Sequence, residues 1–124
     1  MILHIDVAWL LDVQEQAVPE DVSVADYSAL TAAVARHRTR IPRASAAEPD
    51  AAWRAAALLD TLVRLQPLPH RNALYACQVT VAYMHASGEG IDPPHGALVE
   101  LVRDVRAGRI TVFHAAERLR TWRI

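Results

Sequence analysis

The sequence predicts an all-α fold, a compact bundle of about six helices that forms one domain over residues 1–124. Apolar residues recur along most of the chain at the i, i+3, i+4 and i+7 spacing of an amphipathic helix. Residues that favour helix starts precede these segments, and glycine or proline follows most of them. Alternation typical of a β-strand extends no further than residues 2–5.

The first two helices are predicted from their capping residues. Asp6 is the expected N-cap of the first helix, which Pro19 and Glu20 end. Ser23 and Asp26 have the spacing of a capping box and open the second helix. The apolar spacing of that helix predicts a buried stripe of Leu30, Ala33, Val34 and His37.

The third and fourth helices are separated by a segment that cannot be regular helix. Asp50 is the expected cap of the third helix, which buries Ala55, Leu58, Leu59 and Leu62. Two prolines lie in residues 66–71 and interrupt helical structure there. Asn72 is then the expected cap of the fourth helix, which is apolar on most sides. We therefore expect residues 73–86 to form the central helix, with Cys77, Val81 and Met84 buried.

The last two helices are delimited by glycine and threonine. Ser87 and Gly88 end the fourth helix. The fifth ends at Gly108 and buries Leu98, Leu101, Val102 and Val105. Thr111 is the expected N-cap of the sixth, whose stripe consists of Val112, Ala115, Ala116, Leu119 and Trp122.

Composition excludes several classes of protein. The chain is 52% apolar and 22% charged, as in ordinary soluble globular domains. Its formal charge of −1 argues against a large nucleic-acid interface. The single cysteine cannot form an internal disulfide, and we expect a buried, inert thiol. The N-terminus lacks the pattern of a signal peptide and no apolar run reaches membrane-spanning length, so the expected location is cytoplasmic and no membrane partner is expected.

Residues 54–88 carry the most informative motif of the chain. They begin R-A-A-A-L-L-D-T-L-V-R-L-Q-P-L-P-H-R-N-A-L and continue into an apolar helix. This resembles the central segment of the Fic/Doc (death-on-curing) family, whose pattern is K-A-A-x-L-L-x-x-L-V-x-x-H-P-F-x-D-G-N-[KG]-R-T-A. Residues 4–16, 30–39 and 101–120 are also similar to segments of Doc proteins.

The resemblance implies a Doc-like helical domain of a toxin–antitoxin module. Members of the family transfer a phosphorylated group from a nucleotide to a protein hydroxyl, and the Doc toxin is held by a helix of its antitoxin. A protein partner of this kind is therefore the expected partner.

The chain departs from the family pattern at most of the positions that carry its chemistry. By the resemblance, Gln66 stands at the position of the histidine base, and His70 at that of the acid that holds Mg²⁺. Arg71 replaces a glycine and Leu74 replaces the arginine that pairs with phosphate, whereas Asn72 is retained. The amide of Gln66 cannot act as a general base, and loss of such a base typically costs ~10²–10⁴ in rate. Imidazole is a poor ligand for Mg²⁺, and leucine offers no hydrogen-bond donor.

His70, Arg71 and Asn72 still form a polar cluster at a predicted helix N-terminus, where anions are favoured. One interpretation is a residual anion site at Arg71 and Asn72 that binds a nucleotide weakly. The other, which the sequence favours, is a helix cap with two solvated side chains. No confident catalytic residue, resident cofactor or metal site is predicted, since the histidines lack the spacing of known metal motifs.

Two further segments have two interpretations each. The arginine-rich residues 36–43 could contact an acidic partner or nucleic acid, or could be a solvated helix C-terminus, where cations suit the helix dipole. The loop over residues 40–49 lies where the family places a flap that aligns the target segment, but its alanines are also typical of an ordinary loop.

Three classes of function remain open at this point. The chain could be a catalytically inactive Doc relative that acts by binding, as a partner or regulator. It could be a transferase with altered chemistry, in which His70 replaces the missing base. It could also be a structural or assembly protein that retains only the fold.

Overall fold

Six α-helices dominate the computed structural model, which describes residues 2–18, 23–39 and 49–124. They are α1 (Val7–Ala17), α2 (Tyr27–Arg38), α3 (Ala51–Leu65), α4 (Asn72–Ala86), α5 (Ala97–Arg106) and α6 (Val112–Thr121). Within those ranges the only β-type pairing is an isolated bridge between Ile91 and Arg123. The all-α prediction is confirmed.

Three predicted helix caps are present as side-chain hydrogen bonds. Asp6 accepts from the Trp9 amide at 2.9 Å, and Asp50 from the Trp53 amide at 2.9 Å. Thr111 accepts from the His114 amide at 3.3 Å. Each bond satisfies one of the N–H groups that the first turn of a helix leaves without a partner, which is why short polar side chains mark these starts.

Two predicted caps are wrong. Ser23 lies outside α2; the N-cap is Asp26, whose carboxylate accepts from the Ser28 amide at 3.0 Å. Asn72 is the first residue within α4, and Arg71 is the N-cap residue, without a capping side chain. The side chain of Asn72 reaches back to the preceding loop instead, so it is not available to the helix start.

The ends of α4 and α5 are formed as predicted. Gly88 and Gly108 have φ of 78° and 72°, the left-handed conformation that glycine adopts without steric cost. The amides of Glu89 and Arg109 then return to carbonyls inside the two helices, at 2.9 Å each. α1 ends at Ala17 with Val18 as its C-cap, so the predicted end at Pro19 and Glu20 lies outside the described residues.

The central helix is α3, not α4. Every residue of α3 from Ala52 to Val63 is buried, and α3 packs against α2, α4, α5 and α6. Alanines on several sides of α3 let neighbouring helices approach all around it. Their small size weakens the apolar pattern, which is why the sequence favoured the more strongly apolar α4.

α4 is buried along one stripe only, which consists of Tyr75, Ala76, Val79, Thr80, Tyr83 and Met84. Of the three side chains expected inside, Met84 is fully buried and Cys77 partly buried, whereas Val81 is 37% exposed. Cys77 lies at the edge of the buried stripe and packs against the core, whereas Val81, four residues later, faces outwards. Burial raises the pKa of the Cys77 thiol to about 11, so the inert thiol that we expected agrees with its surroundings.

The other predicted stripes are largely confirmed. Leu30, Ala33 and His37 of α2 are buried, as are the four positions predicted for α3. The stripes of α5 and α6 are also inside, except that Leu98, Val112 and Trp122 are only partly buried; Val34 of α2 is partly buried too.

The N-terminal segment is fastened to the bundle by polar side chains. The hydroxyl of Tyr83 donates to the Leu3 carbonyl at 2.6 Å, and that of Tyr75 to the Leu10 carbonyl at 2.7 Å. The Ile5 amide donates to Nε2 of His37 at 3.0 Å. Each such bond contributes about 1 kcal/mol, and leaving either partner buried without it costs more.

Candidate functional site

The loop over residues 66–71, between α3 and α4, contains two non-glycine residues in the left-handed conformation. Gln66 ends α3 with φ of 49°, and Arg71 precedes α4 with φ of 63°. Such a conformation costs roughly 1–3 kcal/mol for an ordinary residue and persists only where the surroundings impose it. The shape of this loop must therefore be imposed by other contacts.

Asn72 provides the main contact. Its Oδ1 accepts from the Leu68 amide and its Nδ2 donates to the Leu68 carbonyl, each at 2.9 Å. The Leu68 side chain lies in the core with 3% of its surface exposed. The Pro67 carbonyl accepts from the amides of Ala25 and Asp26, at 2.8 and 3.1 Å. The loop is thus held from α4, from the core and from the segment before α2.

The predicted site residues are neighbours in this loop, but their side chains do not converge. Gln66, His70 and Arg71 are exposed. Gln66 and His70 make no side-chain hydrogen bond within the described part of the chain. Asn72 is partly buried, and both polar atoms of its amide are used by Leu68. An anion at the start of α4 would therefore depend on backbone N–H groups and on Arg71, and not on the Asn72 side chain.

Leu74 is partly buried and packs against the hydrophobic core. It stands at the position where the family pattern has an arginine. An arginine there would have to leave the core contact or extend past it to reach the loop. The loss of this cation is therefore accompanied by a gain in packing.

Sequence reasoning missed a second polar region, on the same half of α3. Asp60 is 4% exposed and holds two arginines. Nε of Arg64 donates to Oδ1 of Asp60 at 2.8 Å, and Nη1 of Arg36 donates to Oδ2. Nη1 of Arg36 also donates to the Thr61 hydroxyl at 3.3 Å. The available signal was an aspartate in a stripe of leucines with an arginine four residues later, the spacing of a helical ion pair.

Arg36, Asp60 and Arg64 line an open groove of about 540 Å³, which we call the arginine groove. Its opposite wall is the α5–α6 turn and the first turn of α6, with Gly108, Ile110, Thr111, Val112 and Phe113. The Phe113 side chain is 50% exposed. The groove therefore combines positive charge on one side with an exposed aromatic ring on the other.

Only part of the arginine-rich segment that we predicted for residues 36–43 can be placed. Arg36 lies in the arginine groove, whereas Arg38 donates to the Ile5 carbonyl at 2.9 Å and so serves the fold. Residues 40–43, and most of the loop over residues 40–49 that has a flap as one of its two interpretations, lie outside the described residues.

A smaller cavity of about 240 Å³ lies at the other end of α3, lined in part by Arg54, Tyr83, Ser87 and Glu89. Arg54 is only 2% exposed; it donates to the carbonyls of Pro49 at 3.1 Å and His37 at 2.7 Å. Near by, burial lowers the pKa of His37 from 6.5 to about 4, so the ring is neutral at pH 7 and accepts from the Ile5 amide. Polar groups at this end join structural elements to one another.

No protein-family model matches the chain, and no curated protein matches it either. Among the described residues, no group of three or more His, Cys, Asp or Glu side chains is placed to hold a metal ion. None of the helices in those ranges has the length and apolar character needed to cross a membrane.

Proposed function

We propose that this chain is a Doc-like protein of toxin–antitoxin type that acts by binding, as a partner or regulator, and does not transfer phosphoryl or nucleotidyl groups. The observation that carries the proposal is the loop over residues 66–71. Its backbone is held in a strained shape by Asn72 and Leu68, yet the exposed positions around it carry Gln66, His70 and Arg71. This combination is what we expect of a loop that keeps the backbone shape of the family's site and lacks the groups that its chemistry needs.

The distribution of matches to the family pattern supports the Doc-like part of the proposal. The matching residues of this segment are almost all buried: Arg54, Ala55, Ala56, Leu58, Leu59, Leu62, Val63, Pro67 and Ala76. Among the departures, Gln66, His70 and Arg71 are exposed, whereas Leu68 and Leu74 replace a phenylalanine and an arginine with apolar side chains that pack inside. This is the pattern expected of a fold that has been kept while its surface chemistry has changed, because buried positions are constrained by packing.

The backbone at Arg71 gives further support. Its φ of 63° is the conformation that favours glycine, and glycine is the residue of the family pattern at this position. Asn72, the retained polar residue, holds the loop backbone through Leu68. A role in shaping the loop accounts for its presence in a chain that lacks the catalytic groups.

The inactive part of the proposal depends on three substitutions acting together. Phosphoryl transfer needs positioning, a metal ion and stabilisation of charge at the same time. Gln66 cannot take a proton, the imidazole of His70 is a poor ligand for Mg²⁺, and Leu74 packs against the core without offering a donor. Groups that act as a unit are not additive, so restoring one of them is not enough.

Incorporation of labelled phosphate or nucleotide into proteins of a bacterial lysate tests the proposal. We expect no labelling by the unmodified protein or by Gln66→His alone. The variant that combines Gln66→His, His70→Asp, Arg71→Gly and Leu74→Arg restores the base, the metal acid, the glycine and the phosphate arginine, and labelling by this variant alone would support the family assignment. Labelling by the unmodified protein that His70→Ala abolishes would replace the proposal with a transferase that uses His70 as its base.

Nucleotide binding provides a separate measurement. We expect Mg²⁺–ATP to bind weakly, if at all, in calorimetry at millimolar nucleotide, because the phosphate arginine is absent and the amide of Asn72 is engaged. Micromolar affinity that depends on magnesium would contradict the proposal. The expected partner is a protein, and by the resemblance a helix of an antitoxin.

A further inference from the structure

The arginine groove has an excess of positive charge that the fold itself does not use. Asp60 supplies one carboxylate, and both Arg36 and Arg64 donate to it. The side chains of these arginines are 39% and 50% exposed, whereas that of Asp60 is 6% exposed. Within the described ranges, their remaining guanidinium nitrogens have no hydrogen-bond partner.

The arrangement also fixes where those nitrogens can be. Each arginine donates from one nitrogen to a different oxygen of the same buried acid, so both guanidinium groups are held at this carboxylate. Because the arginine side chains are already held in place, a ligand that binds both groups loses less conformational entropy on binding. A carboxylate is the natural complement, since it accepts two hydrogen bonds in the planar geometry of a guanidinium group.

The facing wall of the groove is apolar. Phe113 lies in the first turn of α6 with half of its surface exposed, and Ile110 and Val112 beside it are partly buried. Aromatic residues and arginines are the side chains that most often dominate the binding energy of protein–protein interfaces. A ligand that fills the groove should therefore have an acidic group and an apolar group a short distance apart.

We propose that the arginine groove binds an acidic segment of a protein partner, with a carboxylate of that segment between Arg36 and Arg64 and an apolar side chain against Phe113. The volume of about 540 Å³ accommodates a few side chains, as in grooves that receive a short peptide. Nucleic acid is a poorer match, because it needs a track of cations along its backbone. The chain as a whole carries a formal charge of −1, and Asp60 offsets one of the two arginines. The proposal does not depend on the resemblance to Doc proteins.

Selection from a phage-displayed library of random peptides on the immobilised, folded protein tests the groove. We expect enrichment of peptides that contain Asp or Glu near an aromatic or aliphatic residue. Synthetic versions of these peptides are then measured by fluorescence anisotropy. Arg64→Gln and Phe113→Ala should each weaken binding about tenfold or more, and affinity should fall as salt rises.

Matched controls lie on α5, where Arg103 and Val99 are exposed. Arg103→Gln removes an exposed guanidinium group, and Val99→Ala truncates an exposed apolar side chain, both outside the groove, so both variants should leave affinity unchanged. Phe113→Ala also keeps both ion pairs of Asp60 intact, so a folded Phe113→Ala protein remains informative if Arg64→Gln is unstable.

Failure of any peptide to enrich would overturn the proposal. It is also overturned if the enriched peptides lack acidic residues, or if they bind Arg64→Gln and Phe113→Ala as tightly as the unmodified protein. A single-stranded oligonucleotide serves as a second probe. If it binds and Arg64→Gln abolishes that binding while peptides do not bind, the occupant is nucleic acid and not a protein segment.

Discussion

The two ends of α3 use their polar side chains differently. At the amino-terminal end, Arg54 is almost completely buried and donates to two backbone carbonyls, and Asp50 both caps the helix and accepts from Arg120 at 2.7 and 2.9 Å. At the carboxyl-terminal half, Asp60 is buried but the arginines that it holds are exposed. The first arrangement only joins segments of the chain, whereas the second joins α2 to α3 and also presents charge to the solvent. Substitutions at the amino-terminal end should therefore change stability, and those at the other end should change binding.

The largest expected effect is that of Arg54→Met. Methionine is similar in length and apolar, so the substitution removes the donors with little change in volume. The carbonyls of His37 and Pro49 lose a charged partner, and we expect a loss of about 3–4 kcal/mol in the free energy of unfolding, measured by urea denaturation. Arg64→Gln, at the exposed end, should cost less than about 1 kcal/mol. Equal costs for the two variants would remove the distinction between the ends.

Acid should lower the stability of the protein through His37, which packs near the amino-terminal end of α3. Burial, with added repulsion from Arg38, His4 and Arg54, lowers its pKa from 6.5 to about 4, so the unfolded chain binds the proton more readily than the folded one. The stability that the neutral ring contributes is complete above pH 6.5 and is lost as the pH falls from 6.5 towards 4, by up to about 3 kcal/mol. Protonation also removes the acceptor of the Ile5 amide.

Urea denaturation at a series of pH values between 7 and 4.5 measures this effect. The carboxylate of Asp50, whose pKa is lowered mainly by its hydrogen bonds with Arg120, loses its contribution only below its ordinary value of 3.8. The window above pH 4.5 therefore isolates the histidine. His37→Gln should flatten the slope, whereas the control His70→Gln, at an exposed position, should leave it unchanged. A slope that persists in His37→Gln would show that another group is responsible.

A smaller effect on stability should distinguish two neighbouring residues at the loop that follows α3, Asn72 and His70. Asn72→Ala removes both partners of the Leu68 backbone and should cost about 1–2 kcal/mol in unfolding free energy. His70→Ala, two residues earlier and exposed, should change it by less than about 0.5 kcal/mol. If the two variants are equally stable, the loop does not depend on the Asn72 amide, and the argument that this residue is retained for the shape of the loop is lost.

The sequence by itself determined the helical class, the number of helices and most of their ends. These depend on contacts within a few residues: a carboxylate that reaches an amide three positions on, as at Asp6 and Asp50, or a glycine that adopts positive φ, as at Gly88 and Gly108. Such interactions join residues that are only a few positions apart in the sequence, so they can be predicted without knowing how the helices pack. The resemblance to Doc proteins also arises at this level, and the function that it implies stays a proposal.

Tertiary structure alone decided which helix is central, where Asn72 directs its amide and what Asp60 holds. α3 is central because its alanines let four helices approach it, although α4 is the more apolar of the two by its sequence. Arg36 is 24 residues from Asp60 along the chain, and only the packing of α2 on α3 brings it to the carboxylate that Arg64 already contacts. The arginine groove exists for the same reason: its walls come from α2, α3, the α5–α6 turn and the first turn of α6, and no local pattern connects them.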